Sequence, residues 1–156
     1  MLRVQPPEGY RLGCAVMSDL SLVRYRGYSE LPGAQLLHDQ LRVECAQALD
    51  HGVHLIIVQS ADGSLVVGDS HHYGQAMRPF ATREVEDLIL HEMQRLLCLG
   101  HYQVTERWTG IYPSAQQDAM VQQVLPGVQL VSVTSGTGMS TSFGLAEEVI
   151  ANWTQA

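Results

Sequence analysis

The sequence predicts an α+β protein in which an antiparallel (mixed) sheet is flanked by helices. The predicted elements follow the order strand, helix, hairpin, helix, strand, strand, helix, which favours antiparallel pairing over a parallel doubly wound sheet. An Asp62-Gly63 turn joins two β-rich segments, as in a hairpin. With 156 residues, 46% of them hydrophobic, the chain is long enough to bury a core without disulfides.

The first third of the chain is predicted to contain one strand and one helix. Residues 1–19 are rich in proline and glycine and are predicted to be irregular. Leu20–Arg26 alternates apolar and polar side chains, which predicts a strand with one solvated face. From Pro32 to about Leu49 the apolar residues recur at helical spacing, and Gly52 provides a stop.

The middle of the chain carries the strongest local signals. His54–Gln59 and Ser64–Val67 bracket the Asp-Gly turn and predict a hairpin, because glycine accepts the positive φ that such a turn needs. Thr82–Leu99 predicts a helix with a capping threonine, acidic residues in its first turn and a buried apolar stripe. Gly100 is predicted to end it.

The last third predicts two strands and a helix. Tyr102–Thr109 alternates in the manner of a strand, and Val128–Val133 is a second β-rich segment. A glycine turn, Ser135–Gly138, leads into a final helix over about Ser140–Trp153.

Composition excludes several classes of function. The net charge is −7 and all nine basic side chains are arginines, which argues against a nucleic-acid partner. The longest aliphatic run, Leu55–Val58, is too short to span a bilayer, so no membrane span is expected. Cys14, Cys45 and Cys98 form no CxxC pair, and the amino terminus has no secretory pattern. A reducing, cytoplasmic location is therefore expected.

The glycine turn is the first candidate for chemistry. Its glycines let the backbone approach a ligand, and the following helix presents unpaired N–H groups to an anion. It is not a complete GxGxxG, because Thr141 stands where the third glycine would fall. On spacing alone, a tight turn into a packed helix is the favoured interpretation.

The second candidate is Gly68–Gly74, directly after the hairpin. His71, His72 and Tyr73 could supply acid–base or hydrogen-bonding groups near neutral pH. The alternative is an ordinary solvated loop.

No metal site is expected from ligand spacing. The sequence has no HExxH, and His51 and His54 lack a companion. If the chain is extended there, His71 and His72 point to opposite sides and cannot share one ion.

The third candidate is Arg24–Tyr28, in the first predicted strand. Arg24 and Arg26, with the tyrosines beside them, could hold a carboxylate or phosphonate through charge-assisted hydrogen bonds. Arginines that alternate on a half-exposed strand are equally consistent with a plain surface.

Together these segments resemble the carboxy-terminal half of the FAD-dependent amine oxidoreductases of the D-amino-acid oxidase family, which includes sarcosine and glycine oxidases. Pro126–Glu148 is similar to the family's closing strand, flavin-contacting glycine turn and last helix. Arg107–Pro113 resembles the W-x-G-x-x-P element before it, and Gly68–Pro79 resembles the segment that brings a histidine towards the flavin. The nearest similarity is to the bacterial branch associated with aminophosphonate breakdown.

The resemblance implies two domain portions, a substrate-binding portion over 1–113 and a closing strand, turn and helix over 126–156. The Rossmann part of the FAD-binding domain, with its GxGxxG, is absent from the sequence. The implied cofactor is FAD. The residues implied to contact it are Gly136, Thr137, Gly138, Met139 and Thr141.

The same resemblance implies the substrate site and the reaction. His71 and Tyr73 would be the catalytic residues beside the reacting amine. Arg24, Tyr25 and Ser140 would bind the substrate. The implied function is oxidation of the C–N bond of a small amine, such as an amino acid, an N-methyl amino acid or an aminophosphonate.

Two positions depart from the family pattern. Where relatives carry lysines, this chain has Leu65–Val67 on the hairpin and Ser140 after the glycine turn. These differences favour a dehydrogenase or a phosphonate-bearing substrate over an oxidase of simple amino acids. The expected partners are the small amine, with either an FAD-binding partner chain or a second copy covering the apolar last helix. The alternative is a non-enzymatic remnant or binding module that does not hold FAD alone.

Overall fold

The computed structural model describes residues 1–74 and 80–153. The chain divides into two units, Met1–Thr109 and Gly110–Ala156. Part of the Gly68–Pro79 segment singled out above, residues 75–79, lies outside the described residues.

The first unit is built on a five-stranded sheet with the strand order β2-β3-β4-β1-β5. Every pairing in it is antiparallel. The prediction of an α+β fold with an antiparallel sheet and flanking helices is confirmed. The strands are β1 (Leu2–Gln5), β2 (Val16–Met17), β3 (Ile56–Gln59), β4 (Leu65–Gly68) and β5 (Gln103–Arg107).

Within residues 1–74 and 80–109, five helices accompany this sheet. They are α1 (Asp19–Leu22), α2 (Arg26–Ser29), α3 (Ala34–Glu44), α4 (Ala46–Asp50) and α5 (Arg83–Leu97). The helix predicted over Thr82–Leu99 is confirmed as α5, and it buries Val85, Ile89 and Met93 at helical spacing. It ends earlier than predicted, because Cys98 rather than Gly100 adopts the left-handed conformation at its carboxyl end.

The core of the first unit lies where the sheet meets these helices. Leu55, Ile57, Leu65 and Val67 of the hairpin region are fully buried. The other buried apolar residues of this core are Leu2, Val4, Leu20, Leu41, Ala48, Val53, Val85, Ile89, Met93 and Leu99. Because the hairpin supplies the centre of the core, the residues at its open end are held firmly.

The predicted hairpin is confirmed as β3 and β4. Gly63 adopts a φ of 86°, and the Asp62 carboxylate accepts hydrogen bonds from the backbone N–H and the hydroxyl of Ser64. These contacts close the turn by the mechanism that makes Asp-Gly a turn signal.

The prediction that residues 1–19 are irregular is wrong, because β1 lies between β4 and β5 in the sheet. Leu2 and Val4 point into the core while Arg3 reaches Glu106 on β5 and Ser64. Only four residues alternate before the prolines begin, which is too short a pattern to identify a strand from sequence.

The prediction of a strand over Leu20–Arg26 is also wrong, since this segment forms α1, a short link and the start of α2. Leu20 is buried and Val23 partly so, whereas Leu22 is exposed, which is helical rather than alternating spacing. Hydrogen bonds to a distant part of the chain hold the residue before this segment in place. The Ser18 N–H donates to the Leu55 carbonyl, and the Leu55 N–H donates to the Ser18 hydroxyl. Tertiary contacts therefore override the local pattern.

The single helix predicted from Pro32 to about Leu49 is two helices. Cys45, with φ −146° and ψ 48°, separates α3 from α4. The apolar spacing continues across this break, which is why the sequence pattern reads as one helix.

The second unit contains the hairpin β6 (Ala119–Leu125) and β7 (Val128–Val133), followed by α6 (Gly138–Trp153). The predicted strand over Val128–Val133 and the last helix are confirmed, and the helix begins two residues earlier than expected. Strand β6 is absent from the sequence-based prediction, because Gln122 and Gln123 interrupt its alternation.

Several apolar side chains of the second unit are exposed. On α6, Val149 is buried, whereas Met139, Phe143, Ile150 and Trp153 are exposed. Among the described residues, no helix has the length and apolar character needed to cross a membrane.

The Gly63→Ala substitution tests the hairpin turn. An alanine at a φ of 86° is expected to cost about 1 kcal/mol of unfolding free energy, because a Cβ is unfavourable in that backbone region. Gly13→Ala is the control, since that glycine has neither a positive φ nor a neighbour near its Cβ position. Urea unfolding of the two variants should separate them, and equal midpoints would contradict the turn geometry.

Candidate functional site

The candidate site of the first unit lies at the open end of the β3–β4 hairpin. His54 and Asp69 face each other there and exchange two backbone hydrogen bonds, at 3.0 and 2.7 Å. Residues paired in this way on antiparallel chains project their side chains from the same face. The His54 Nε2 atom lies 2.9 Å from the Asp69 Oδ1 atom, and the His54 side chain is only 3% exposed.

The other side of the His54 ring meets α1. Its Nδ1 atom lies 3.4 Å from the Ser21 hydroxyl, which donates a hydrogen bond to the Leu55 carbonyl at 3.2 Å. The Tyr25 ring contacts His54 edge-on, with 5.3 Å between ring centroids. His54 therefore connects the hairpin to the segment that carries the predicted residues Arg24 and Tyr25.

His71 follows Asp69 by two positions, so in extended chain both side chains project to the same side. Its Nε2 atom lies 3.8 Å from the Asp69 Oδ2 atom, and its ring stacks on His54 at 4.9 Å. Gly52 permits this approach: a Cβ built on it would lie 2.8 Å from the His71 carbonyl oxygen. His72 points elsewhere and is exposed, as the extended-chain argument predicts.

Burial and neighbouring charges set the ionisation of this cluster. Burial lowers the pKa of His71 to about 4, and the positive charge of Arg24 acts in the same direction against the opposing effect of Asp69. Burial alone would raise the pKa of Asp69. The hydrogen bond from His54 and the charge of His71 outweigh that effect, so the pKa of Asp69 is lowered.

Arg24 and Tyr73 complete the predicted residues of this unit. The Arg24 Nη2 atom donates to the Tyr73 hydroxyl at 3.0 Å, and the Tyr73 ring stacks beside His71 at 6.3 Å. Tyr73 is 68% exposed. The structure thus brings Arg24, Tyr25, His71 and Tyr73 together, although the first two lie on the link between α1 and α2 and not on the predicted strand edge.

A cavity of about 230 Å³ adjoins this cluster. Arg24, His71 and Tyr73 line it together with His38 and Arg42, two residues that the sequence analysis does not identify. Arg42 is also bonded to Asp50. A basic, partly apolar cavity of this kind suits a small anionic molecule. A larger depression of about 610 Å³ between α4 and α5 holds none of the predicted residues.

His54 and Asp69 are the functional candidates that the sequence analysis misses, since it describes His54 as lacking a companion. The hairpin register alone would not have found them. It pairs Ile56 with Gly68 and so would place Leu55 opposite Asp69, whereas the structure pairs His54 with Asp69, one residue out of that register.

The glycine turn forms the candidate site of the second unit. Gly136 has a φ of 78°, and a Cβ added to it would lie 3.2 Å from the Tyr112 hydroxyl. The Ser135 and Thr137 hydroxyls are hydrogen-bonded at 2.7 Å. Helix α6 begins at Gly138, where the first N–H groups of a helix have no intrahelical acceptor.

The remaining predicted residues lie on the first turn of α6. The N–H groups of Ser140 and Thr141 and the Thr141 hydroxyl all donate to the Thr137 carbonyl. Met139 is 96% exposed. The Ser140 and Thr141 N–H groups are therefore used within the turn itself, and the Met139 side chain projects into solvent beside it.

The chain matches the model of one protein family, described as FAD dependent oxidoreductase, over residues 20–152. The chain belongs to this family. Its cofactor is FAD, as expected from the resemblance. No curated protein and no solved structure matches the chain.

The residues of the glycine turn fit one part of FAD. Gly136 leaves no side chain between the turn and Tyr112, and the N–H groups at the start of α6 suit the electron-rich pyrimidine edge of a flavin. The GxGxxG segment that holds the pyrophosphate in dinucleotide-binding folds does not occur in these 156 residues. Gly136, Thr137, Gly138 and Met139 would hold the flavin ring.

The depressed pKa of His71 predicts a loss of stability in mild acid. In the unfolded chain this histidine binds a proton near pH 6.5, whereas the folded chain resists it until about pH 4. The unfolding free energy should therefore fall as the pH decreases through that interval. His71→Gln should flatten this slope in urea titrations with EDTA present. His101→Gln, at an exposed histidine, should leave the slope unchanged, and an unchanged slope in His71→Gln would contradict the assignment.

Proposed function

We propose that this FAD-dependent oxidoreductase oxidises the C–N bond of a small amine that carries an anionic group. The observation that carries the proposal is the cluster of Arg24, His71 and Tyr73 beside a basic cavity, in a chain of this family. The candidate substrates are amino acids, N-methyl amino acids and aminophosphonates, as in the sarcosine and glycine oxidase-like members and the aminophosphonate-associated branch.

In the first unit, Arg24 would bind the anionic group. Its guanidinium is oriented by the Tyr73 hydroxyl and lies over the Tyr25 ring, with the guanidinium carbon 5.4 Å from the ring centroid. A guanidinium held in this way offers paired N–H donors to a carboxylate or phosphonate. Arg42 lines the same cavity and carries N–H donors besides the one bonded to Asp50. We propose that a phosphonate, which has three acceptor oxygens, uses both arginines and binds better than a carboxylate.

His71 and Tyr73 would stand beside the reacting amine. Oxidation of an amine removes a hydride from carbon and a proton from nitrogen, and the resulting imine hydrolyses to a carbonyl compound and an amine or ammonia. A neutral His71 imidazole would accept a hydrogen bond from the amine N–H. Because its pKa is depressed to about 4, it would pass the proton on to solvent and not retain it. The largely buried His71 ring is held in place by His54 and Asp69.

In the second unit, the glycine turn would contact the flavin. When bound, FAD supplies the two-electron acceptor for the hydride. The backbone N–H groups of Gly138 and Met139 would stabilise negative charge at the flavin edge, and Ser140 and Thr141 follow them on the same helical turn. No lysine is available to assist oxygen, so we propose transfer of the electrons to an acceptor other than oxygen, as in a dehydrogenase.

The adenosine diphosphate part of FAD would be bound by an FAD-binding partner chain, and either that chain or a second copy of this one would cover the apolar side chains of α6. The exposed apolar side chains Phe143, Ile150 and Trp153 of α6 support a partner of this kind. The protein would act in the cytoplasm, on the sequence grounds given above. The alternative function, a small-molecule binding module without FAD, is favoured only by the lack of GxGxxG.

Flavin titration tests the second unit. Because only the ring would be held, riboflavin and FAD should bind this chain with similar affinity when flavin fluorescence is followed. Gly136→Ala should weaken both by about fivefold, since a side chain is unfavourable at its positive φ. Gly144→Ala, in the same helix with open space around it, should bind as the unaltered chain does. If FAD bound much more tightly than riboflavin, this chain would also hold the adenosine diphosphate part, and the proposal that it holds only the flavin ring would be wrong.

Calorimetric titration with aminomethylphosphonate, glycine and methylamine tests the first unit. We expect the phosphonate to bind most tightly, and Arg24→Gln to weaken both anionic ligands by about tenfold or more without affecting methylamine. Arg83→Gln is the control, because its side chain is 92% exposed on α5. Equal binding of the three ligands, or equal losses in both variants, would refute the role of Arg24.

A further inference from the structure

The hairpin end brings together three side chains that can each donate an electron pair. His54, Asp69 and His71 offer two imidazole nitrogens and a carboxylate oxygen, and these atoms all lie within 4.8 Å of one another. His54 is buried, and the other two are partly buried. The sequence has no metal-ligand spacing for these three residues, because backbone pairing between distant segments brings them together.

The distances suit a shared cation. The His54 Nε2 and Asp69 Oδ1 atoms are 2.9 Å apart, which a hydrogen bond also explains. The His71 Nε2 and Asp69 Oδ2 atoms are 3.8 Å apart, which is too long for a hydrogen bond. Two atoms bound to one zinc ion at about 2.0–2.1 Å each are separated by about 3–4 Å. These two pairs are close to that spacing, although they involve different oxygens of Asp69. The three ligand atoms together lie within 4.8 Å of one another, so the side chains must close in by about 1 Å to share one ion.

The buried imidazole of His54 also has the outer partner that metal-binding histidines use. Its Nδ1 atom faces the Ser21 hydroxyl, which is itself fixed by the Leu55 carbonyl. A partner that accepts the second ring N–H directs the lone pair of the other nitrogen to the metal.

We infer that His54, Asp69 and His71 form a binding site for a divalent transition-metal ion of the zinc type. Two imidazoles and one carboxylate are a ligand set for zinc and its neighbours, not for calcium or magnesium, which prefer oxygen ligands alone. Three protein ligands leave a fourth position for water or a small ligand. The site goes beyond the proposed amine oxidation and does not depend on flavin.

Titration of the flavin-free, untagged chain with cobalt and zinc ions tests this inference. Cobalt bound by nitrogen and oxygen in four-coordinate geometry should give visible absorption bands, and zinc should displace it at one equivalent. His71→Gln should weaken zinc binding by at least about tenfold in calorimetry. Asp69→Asn should do the same. His101→Gln, at an exposed histidine outside the cluster, should bind as the unaltered chain does.

A measurement without substitutions covers the case in which the variants do not fold. Histidine ring signals in ¹H–¹⁵N spectra of the unaltered chain should shift on zinc addition for His54 and His71, while those of His91 and His101 stay in place. Absence of cobalt bands together with unshifted His54 and His71 signals would overturn the site. So would equal loss of affinity in His71→Gln and His101→Gln. The flavin and amine titrations are carried out without added metal and with EDTA present, so the proposed function stands or falls separately.

Discussion

The pairing of His54 with Asp69 is the interaction on which the first unit's site depends. Two backbone hydrogen bonds extend the hairpin beyond its regular strands and turn both side chains to one face. The His54 ring then packs against α1 through Ser21, so the link that carries Arg24 is tied to the same point. A single short stretch of antiparallel chain thus determines where the histidines, the carboxylate and the guanidinium lie.

The fold could be predicted where the local pattern and the tertiary contacts agree. Asp62-Gly63 closes the hairpin by its own chemistry, and α5 carries a long, uninterrupted apolar stripe. At Leu20–Arg26 the local pattern does not determine the structure, because the apolar residues there fit both a strand and a short helix. Hydrogen bonds between Ser18 and Leu55, which lie far apart in the sequence, favour the helix. No window of neighbouring residues contains that information.

The site could be predicted in the same partial way. His71, Tyr73 and Arg24 are recognisable because they stand in short segments similar to a known family. His54 and Asp69 carry no such local sign, since only strand pairing makes them neighbours. They give His71 a second proposed role, because its imidazole would serve the reacting amine and would also bind the proposed cation. Amine and metal ion would then compete for the same side chain, and the outcome would depend on the concentration of the metal.

The division of the chain into two units has a spectroscopic consequence. The sequence contains two tryptophans, and one falls in each unit, Trp108 before the boundary at Thr109 and Trp153 after it. Both are partly exposed, so their emission should respond when the surrounding structure is lost. Replacing either one with phenylalanine leaves an intrinsic fluorophore that reports on one unit alone. The tryptophan fluorescence of these two variants would therefore show whether the two units unfold together or one after the other.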